Sequence, residues 1–199
     1  MPSSRSSGSW RSATEAYIDW GWGRISEEAF SAAFDQLPAS ILSIPGDERS
    51  EAQAEVCPIL YDLGKIELLK AWSEPVFNPV AHVWLAYAAF DRSDWLETVR
   101  QVERAESLLD MNDVDFAKQC EIRLLARMHV DEDAVVPGDF AELIRRYRSN
   151  RLGRLEPREL REWLSSADAE KLRPELRDVA ENTLATLEEI YRATPEFPE

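Results

Sequence analysis

Apolar residues recur every three or four positions along most of this chain, and that spacing limits what it can fold into. Phe30, Phe34 and Leu37 are one example, and apolar side chains follow a near-heptad spacing from residue 176 to residue 190. This periodicity gathers the apolar side chains on one face of an α-helix. About nine such segments follow one another, and no run of alternating residues predicts a β-strand. We therefore predict an all-α protein.

Local signals mark where these helices begin and end. Ser12 and Ser26 are typical N-cap residues, and Pro79 suits the first position of a helix. Pro58 and Gly64 interrupt the third apolar segment, where we expect a kink or a split. The connections are short, which favours antiparallel neighbours. We expect an irregular multi-helix bundle of about nine helices; stacked antiparallel hairpins are the alternative, but no clear internal repeat supports them.

The length of 199 residues is close to that of one ordinary domain. The Ser-rich start has little to bury, and prolines at 195 and 198 interrupt the C-terminal end. We therefore expect a disordered tail over residues 1–11, a single helical domain over 12–194, and a frayed tail over 195–199.

The charge balance is strongly acidic. The chain has 38 acids and 23 bases, a formal charge of −15, which opposes binding to nucleic acid and to anionic membranes. No apolar stretch approaches the roughly 20 residues needed to cross a membrane. Cys57 and Cys120 are too few for a disulfide scaffold or a zinc site. These features predict a soluble, cytoplasmic protein that does not bind nucleic acid directly.

Motifs for common catalytic sites are absent from the sequence. It has no Gly-rich phosphate loop and no Gly-x-Ser-x-Gly elbow. His129 with Glu132 and Asp133 could hold a metal, but a solvated acidic loop at a helix end is favoured. His82 lies in the most apolar helix and is expected to be buried. We predict no catalytic residue, no cofactor and no metal. The sequence does not decide whether the protein is an enzyme, and it favours a protein that is not one.

Two features stand out as candidate contact sites for a partner or an anion. One is a run of five arginines without an acid: Arg145, Arg146, Arg148, Arg151 and Arg154. It can dock an anion, but stabilising a helix C-terminus or pairing with the chain's own acids is favoured. The other is the pair Trp10 and Trp22, which lie at helix edges and either anchor a partner or pack onto the bundle.

The function expected from these observations is a non-catalytic protein–protein interaction module. Adaptors, dedicated chaperones and immunity-type inhibitors belong to this class, and an acidic helical surface suits a basic partner. One alternative is a helical enzyme with a pocket near His82. A second is an acidic mimic of nucleic acid.

Overall fold

The computed structural model describes residues 9–107, 117–150 and 154–195. Ten α-helices and no β-strands lie in these ranges, so the prediction of an all-α, multi-helix protein is confirmed. The tenth helix arises because Gly64 splits the third apolar segment. Gly64 adopts a left-handed φ of +65°, and the N–H of Lys65 donates to the carbonyl of Leu60, which ends the preceding helix. Pro58 lies inside that helix without ending it.

The chain divides into two compact units, and the boundary between them lies inside the single helical domain predicted from the sequence. Unit 1 is residues 1–88 and unit 2 is residues 89–199. None of the helices in the described ranges is long and apolar enough to cross a membrane.

Unit 1 is built from four helices and most of a fifth. These are α1 (Ser9–Gly21), α2 (Glu27–Phe34), α3 (Arg49–Asp62), α4 (Ile66–Ser73) and α5 (Pro79–Phe90), with a short 3-10 helix at Ile41–Ser43. Two of the expected helix starts are present: Ser26 accepts a hydrogen bond from the N–H of Ala29, and Pro79 is the first residue of α5.

Helix α1 begins earlier than the sequence suggested. It starts at Ser9 rather than at Ser12, because Trp10 packs into the core at 2% exposure. The indole Nε1 of Trp10 donates to Glu48 at 3.3 Å, and Arg11 pairs with the same carboxylate. Residues 1–8 of the expected disordered tail lie outside the described residues.

Among the described residues of unit 1 the buried polar side chains are Gln53, Ser73, Asn78 and His82, and main-chain groups bind several of them. Gln53 is fully buried, and its Nε2 donates to the carbonyls of Trp72 (2.6 Å) and Val76 (2.9 Å). The indole of Trp72 donates to the carbonyl of Pro38 at 2.8 Å. These bonds hold the loops beside α3 and α4 against a core that buries Leu60 and Leu69.

Unit 2 contains the remaining helices. These are α6 (Trp95–Glu106), α7 (Ala117–Val130), α8 (Pro137–Ser149), α9 (Arg158–Leu164) and α10 (Pro174–Ala193), with 3-10 helices at Glu132–Ala134 and Ala169–Lys171. Helix α7 packs on α6, α8 and α9, and α10 packs on α8 and α9. Phe140, Leu143, Leu160 and Leu187 fill the core between them.

A buried carboxylate, Glu121, lies at the centre of unit 2. It is fully buried on α7 and accepts hydrogen bonds from the Tyr147 hydroxyl (2.5 Å), the Lys118 ammonium (2.8 Å) and the N–H of Leu160 (2.8 Å). The last bond satisfies a free N–H in the first turn of α9. Burial raises the pKa of Glu121, and the charge of Lys118 works in the opposite direction. One side chain therefore ties α7, α8 and α9 together.

Candidate functional site

Three aromatic rings meet at the end of α7 in unit 2. The ring of Trp95 stacks on the imidazole of His129, with centroids 4.2 Å apart and planes 7° apart. Trp163 meets the same imidazole edge-on at 84°, and its indole Nε1 donates to Nε2 of His129 at 3.1 Å. We call these three residues the Trp–His cluster.

Each member of the cluster comes from a different helix. Trp95 is the first residue of α6, where Asp94 caps the helix by accepting from the N–H of Glu97. His129 lies in the last turn of α7, and Trp163 lies near the end of the short helix α9. Trp95 and Trp163 each lie 34 residues from His129 in the sequence, one before it and one after it, and the helix packing of unit 2 brings the three rings together.

A cavity of about 230 Å³ opens beside the cluster. Its lining residues are Met128, His129, Glu132, Trp163, Asp168, Lys171 and Leu172. Two carboxylates and one ammonium therefore face a wall of aromatic and aliphatic groups. Asp168 pairs with Lys171 at 2.6 Å, and Glu132 accepts from both the main-chain N–H (2.9 Å) and the Nε (3.1 Å) of Arg173.

The imidazole of His129 is held in its neutral form. Nε2 accepts a hydrogen bond from Trp163, which assigns the ring proton to Nδ1. Partial burial lowers the pKa of His129; Asp168 raises that pKa and Lys171 lowers it. At neutral pH the ring is an aromatic surface without a charge.

The residues that could have held a metal do not form a metal site. No group of three or more His, Cys, Asp or Glu side chains in the described ranges is arranged to hold a metal ion. Glu132 is engaged by Arg173, and Asp133 also approaches Arg173, at 3.4 Å. Asp133 is 90% exposed, and Arg173 from a distant part of the sequence pairs with both acids of this loop.

The five arginines of the run are in different environments. Arg145 makes two hydrogen bonds of 2.6 Å to Glu142, and the buried Arg146 binds the same carboxylate at 2.7 Å. The hydrogen bond from Arg145 and the neighbouring charges lower the pKa of Glu142 to about 2. Arg154 donates to the carbonyl of Thr194 and lies over the ring of Tyr191. Arg148 is exposed, and Arg151 lies outside the described residues.

The two tryptophans proposed as partner anchors also differ. Trp10 is buried at 2% exposure, whereas Trp22 is 73% exposed just beyond the end of α1. A side chain as buried as Trp10 has almost no surface to offer a partner. Trp22 keeps most of its surface in solvent, and Arg24 lies over its ring.

His82 and the two cysteines are buried. His82 is 0% exposed and stacks on the ring of Phe77, with centroids 4.8 Å apart. Burial raises the pKa of Cys57 to about 12 and that of Cys120 to about 11, so neither is a thiolate at neutral pH. These environments suit packing and argue against a nucleophilic Cys–His pair around His82.

Sequence reasoning missed the Trp–His cluster. The number of tryptophans, seven, is high, but the sequence drew attention only to those near the N-terminus. The cluster depends on which ends of α6, α7 and α9 meet, and helical periodicity does not determine that.

Comparison of the chain with protein-family models, with curated proteins and with solved structures finds no match.

Proposed function

We propose that this protein is a non-catalytic interaction module that binds a basic, amphipathic segment of another protein. The main observation in support of this proposal is the exposed side chain of Trp22. A ring that is 73% exposed leaves a large apolar area in water, although tryptophan is usually well buried. Tryptophan is also among the residues most enriched at the energetic centres of protein interfaces.

Trp22 has an apolar neighbour on the same side of unit 1. Ile18 is 49% exposed, and its carbonyl accepts a hydrogen bond from the N–H of Trp22 at 3.1 Å. This bond continues the helical turn, so the two side chains stand one turn apart on one face. We call Ile18 and Trp22 the apolar anchor pair.

The surroundings of the anchor pair favour a basic partner. Residues 15–28 contain Glu15, Asp19, Glu27 and Glu28 against the single base Arg24. Arg24 already pairs with Asp19 at 3.1 Å and lies over the Trp22 ring. Glu15, Glu27 and Glu28 are exposed, and no ion pair joins them to another described residue. An approaching lysine or arginine therefore meets exposed carboxylates in the same segment of the chain as the apolar anchor pair, which speeds association and selects the partner.

A selection from random short peptides displayed on phage tests this function, and it does not require the natural partner to be identified first. The immobilised full chain should select sequences that combine basic with aromatic or aliphatic residues. Their binding should weaken at high salt because it depends partly on exposed charges. Trp22→Ser should reduce the affinity of the selected peptides by at least about tenfold.

A matched control is available in unit 2. Leu96 is also a large apolar side chain at 68% exposure, so Leu96→Ser makes a comparable surface change at a residue that is not part of the anchor pair. Its affinity for the selected peptides should equal that of the unchanged protein. Selection of acidic or neutral peptides, or equal binding by the Trp22→Ser variant, would contradict the proposed function. Competition between this protein and duplex DNA for the selected peptides would favour the nucleic-acid mimic instead.

A further inference from the structure

The cavity beside the Trp–His cluster is a candidate ligand site in unit 2, and the evidence for it is independent of the anchor pair in unit 1. Its volume of about 230 Å³ lies below the roughly 300–1,000 Å³ of sites for drug-sized ligands. The cavity therefore suits one chemical group rather than a large cofactor.

The walls of the cavity favour a positively charged group with apolar substituents. Trp163 supplies an indole, the aromatic ring that attracts cations most strongly. Met128 and Leu172 supply aliphatic surface beside it. His129 adds an uncharged ring, because its Nε2 accepts from Trp163. None of these four side chains brings a positive charge to the cavity, and the cation in its lining is Lys171.

A resident ammonium group already lies at the edge of this cavity. The Lys171 Nζ is 2.6 Å from a carboxylate oxygen of Asp168, and both side chains line the cavity. The Lys171 side chain is 76% exposed and that of Asp168 is 51% exposed, and ion pairs this exposed contribute little to stability. A ligand cation can therefore take the place of Lys171 beside Asp168 at small cost.

We propose that the cavity between Trp163 and Asp168 is a binding site for an alkylammonium group. Such a group is carried by a small molecule of the choline type or by a methylated lysine side chain. Its methyl groups would lie on Trp163, Met128 and Leu172, and its charge would face Asp168. Glu132 is held by Arg173 and completes the negative side of the cavity.

The NMR signal of the His129 ring reports binding directly, because the chain has only two histidines and the other is fully buried. Choline chloride is titrated into the full chain, with sodium chloride at equal ionic strength as the control. The His129 signal should shift saturably with choline and stay in place with sodium chloride. The His82 signal should not move.

Three substitutions should change the affinity for choline in different ways. Asp168→Asn should weaken choline binding about fivefold, because it removes the charge that the cation faces. Lys171→Met should strengthen binding by a similar factor, because it removes the competing ammonium. Trp163→Leu should abolish binding. Asp178→Asn, at an exposed acid on α10, is the matched control and should leave binding unchanged.

Several outcomes would overturn the proposal. One is an equal shift of the His129 signal with sodium chloride, and another is no saturable shift with choline. Weaker choline binding by the Lys171→Met variant would also overturn it. So would a saturable shift of the His129 signal with sodium phosphate that is absent from the Lys171→Met variant. Circular dichroism of Asp168→Asn and Lys171→Met confirms that these surface variants remain folded. A trimethyllysine peptide identifies the source: tighter binding than choline points to a modified protein, and tighter binding of choline points to a small molecule.

Discussion

Units 1 and 2 are both helical, yet they satisfy their buried polar groups in different ways. In the described part of unit 1 the buried polar side chains are Gln53, Ser73, Asn78 and His82, and none of them is a carboxylate, a lysine or an arginine. Gln53 and Asn78 donate to main-chain carbonyls. In unit 2 the buried groups include the acidic Glu121 and the basic Arg146, whose partners are mainly other side chains. In unit 1, buried side chains bind the backbone of neighbouring segments. In unit 2, buried acidic and basic side chains bind side chains, within a helix or on a neighbouring one.

The largest expected effect is at Glu121. Glu121→Leu removes the acceptor of the Tyr147 hydroxyl and of the N–H of Leu160, whereas Lys118 keeps Glu159 and the carbonyl of Glu156 as partners. Removing the acceptor of a buried donor costs about 1–3 kcal/mol for each group, and urea unfolding measures that loss. Adding Tyr147→Phe should recover part of it, because the hydroxyl that donated to Glu121 is then gone. A loss below about 1 kcal/mol would show that the carboxylate is not a central support of unit 2.

The next effect is at Gln53 in unit 1. Gln53→Leu removes the donor shared by the carbonyls of Trp72 and Val76, and stranded buried acceptors should cost about 2 kcal/mol in total. The loss should appear as faster amide exchange in α3 and α4. No second side-chain substitution should recover it, because the partners are backbone groups. Gln36→Leu, at an exposed glutamine, is the control and should change stability little. Equal losses in the two variants would remove the contrast between the units.

Helical periodicity was sufficient to predict the fold class, since it depends only on residues within one segment. It also marked Gly64, where the left-handed φ has a local cause. It could not predict that Glu121 is buried. A glutamate on a helix is normally expected in solvent, and Glu121 is buried because Tyr147 and Leu160, 26 and 39 residues away, supply donors. The two candidate sites differ in the same respect. Trp22 could be singled out from the sequence, whereas the partners of His129 could not be predicted from it.

A smaller effect concerns the titration of His129. Its pKa should lie below the ordinary value of about 6.5, because burial disfavours the imidazolium and Nε2 is an acceptor. The unfolded chain then binds the proton more readily than the folded chain. The stabilising contribution of the neutral ring is therefore present above about pH 6.5 and is lost as pH falls through the lower folded pKa.

An NMR titration of the two histidines measures this pKa. Trp163→Phe removes the donor to Nε2 and should move the pKa of His129 towards its ordinary value. Trp20→Phe in unit 1 is the matched control and should leave it unchanged. A midpoint at or above about 6.5 in the unchanged protein would refute the assignment of a neutral ring in this environment.

The smallest effect separates two members of the arginine run and shows which charges of unit 2 stabilise it. Arg148 is exposed, whereas Arg146 is buried against Glu142. Arg148→Gln should change the free energy of unfolding by no more than about 0.5 kcal/mol, as is usual for surface positions. Arg146→Gln should cost more, because it removes a partner of Glu142 from a buried position. Urea unfolding of both variants decides the matter. Equal and small changes would mean that burial of Arg146 contributes nothing, and the charged interior of unit 2 would then be limited to the contacts of Glu121.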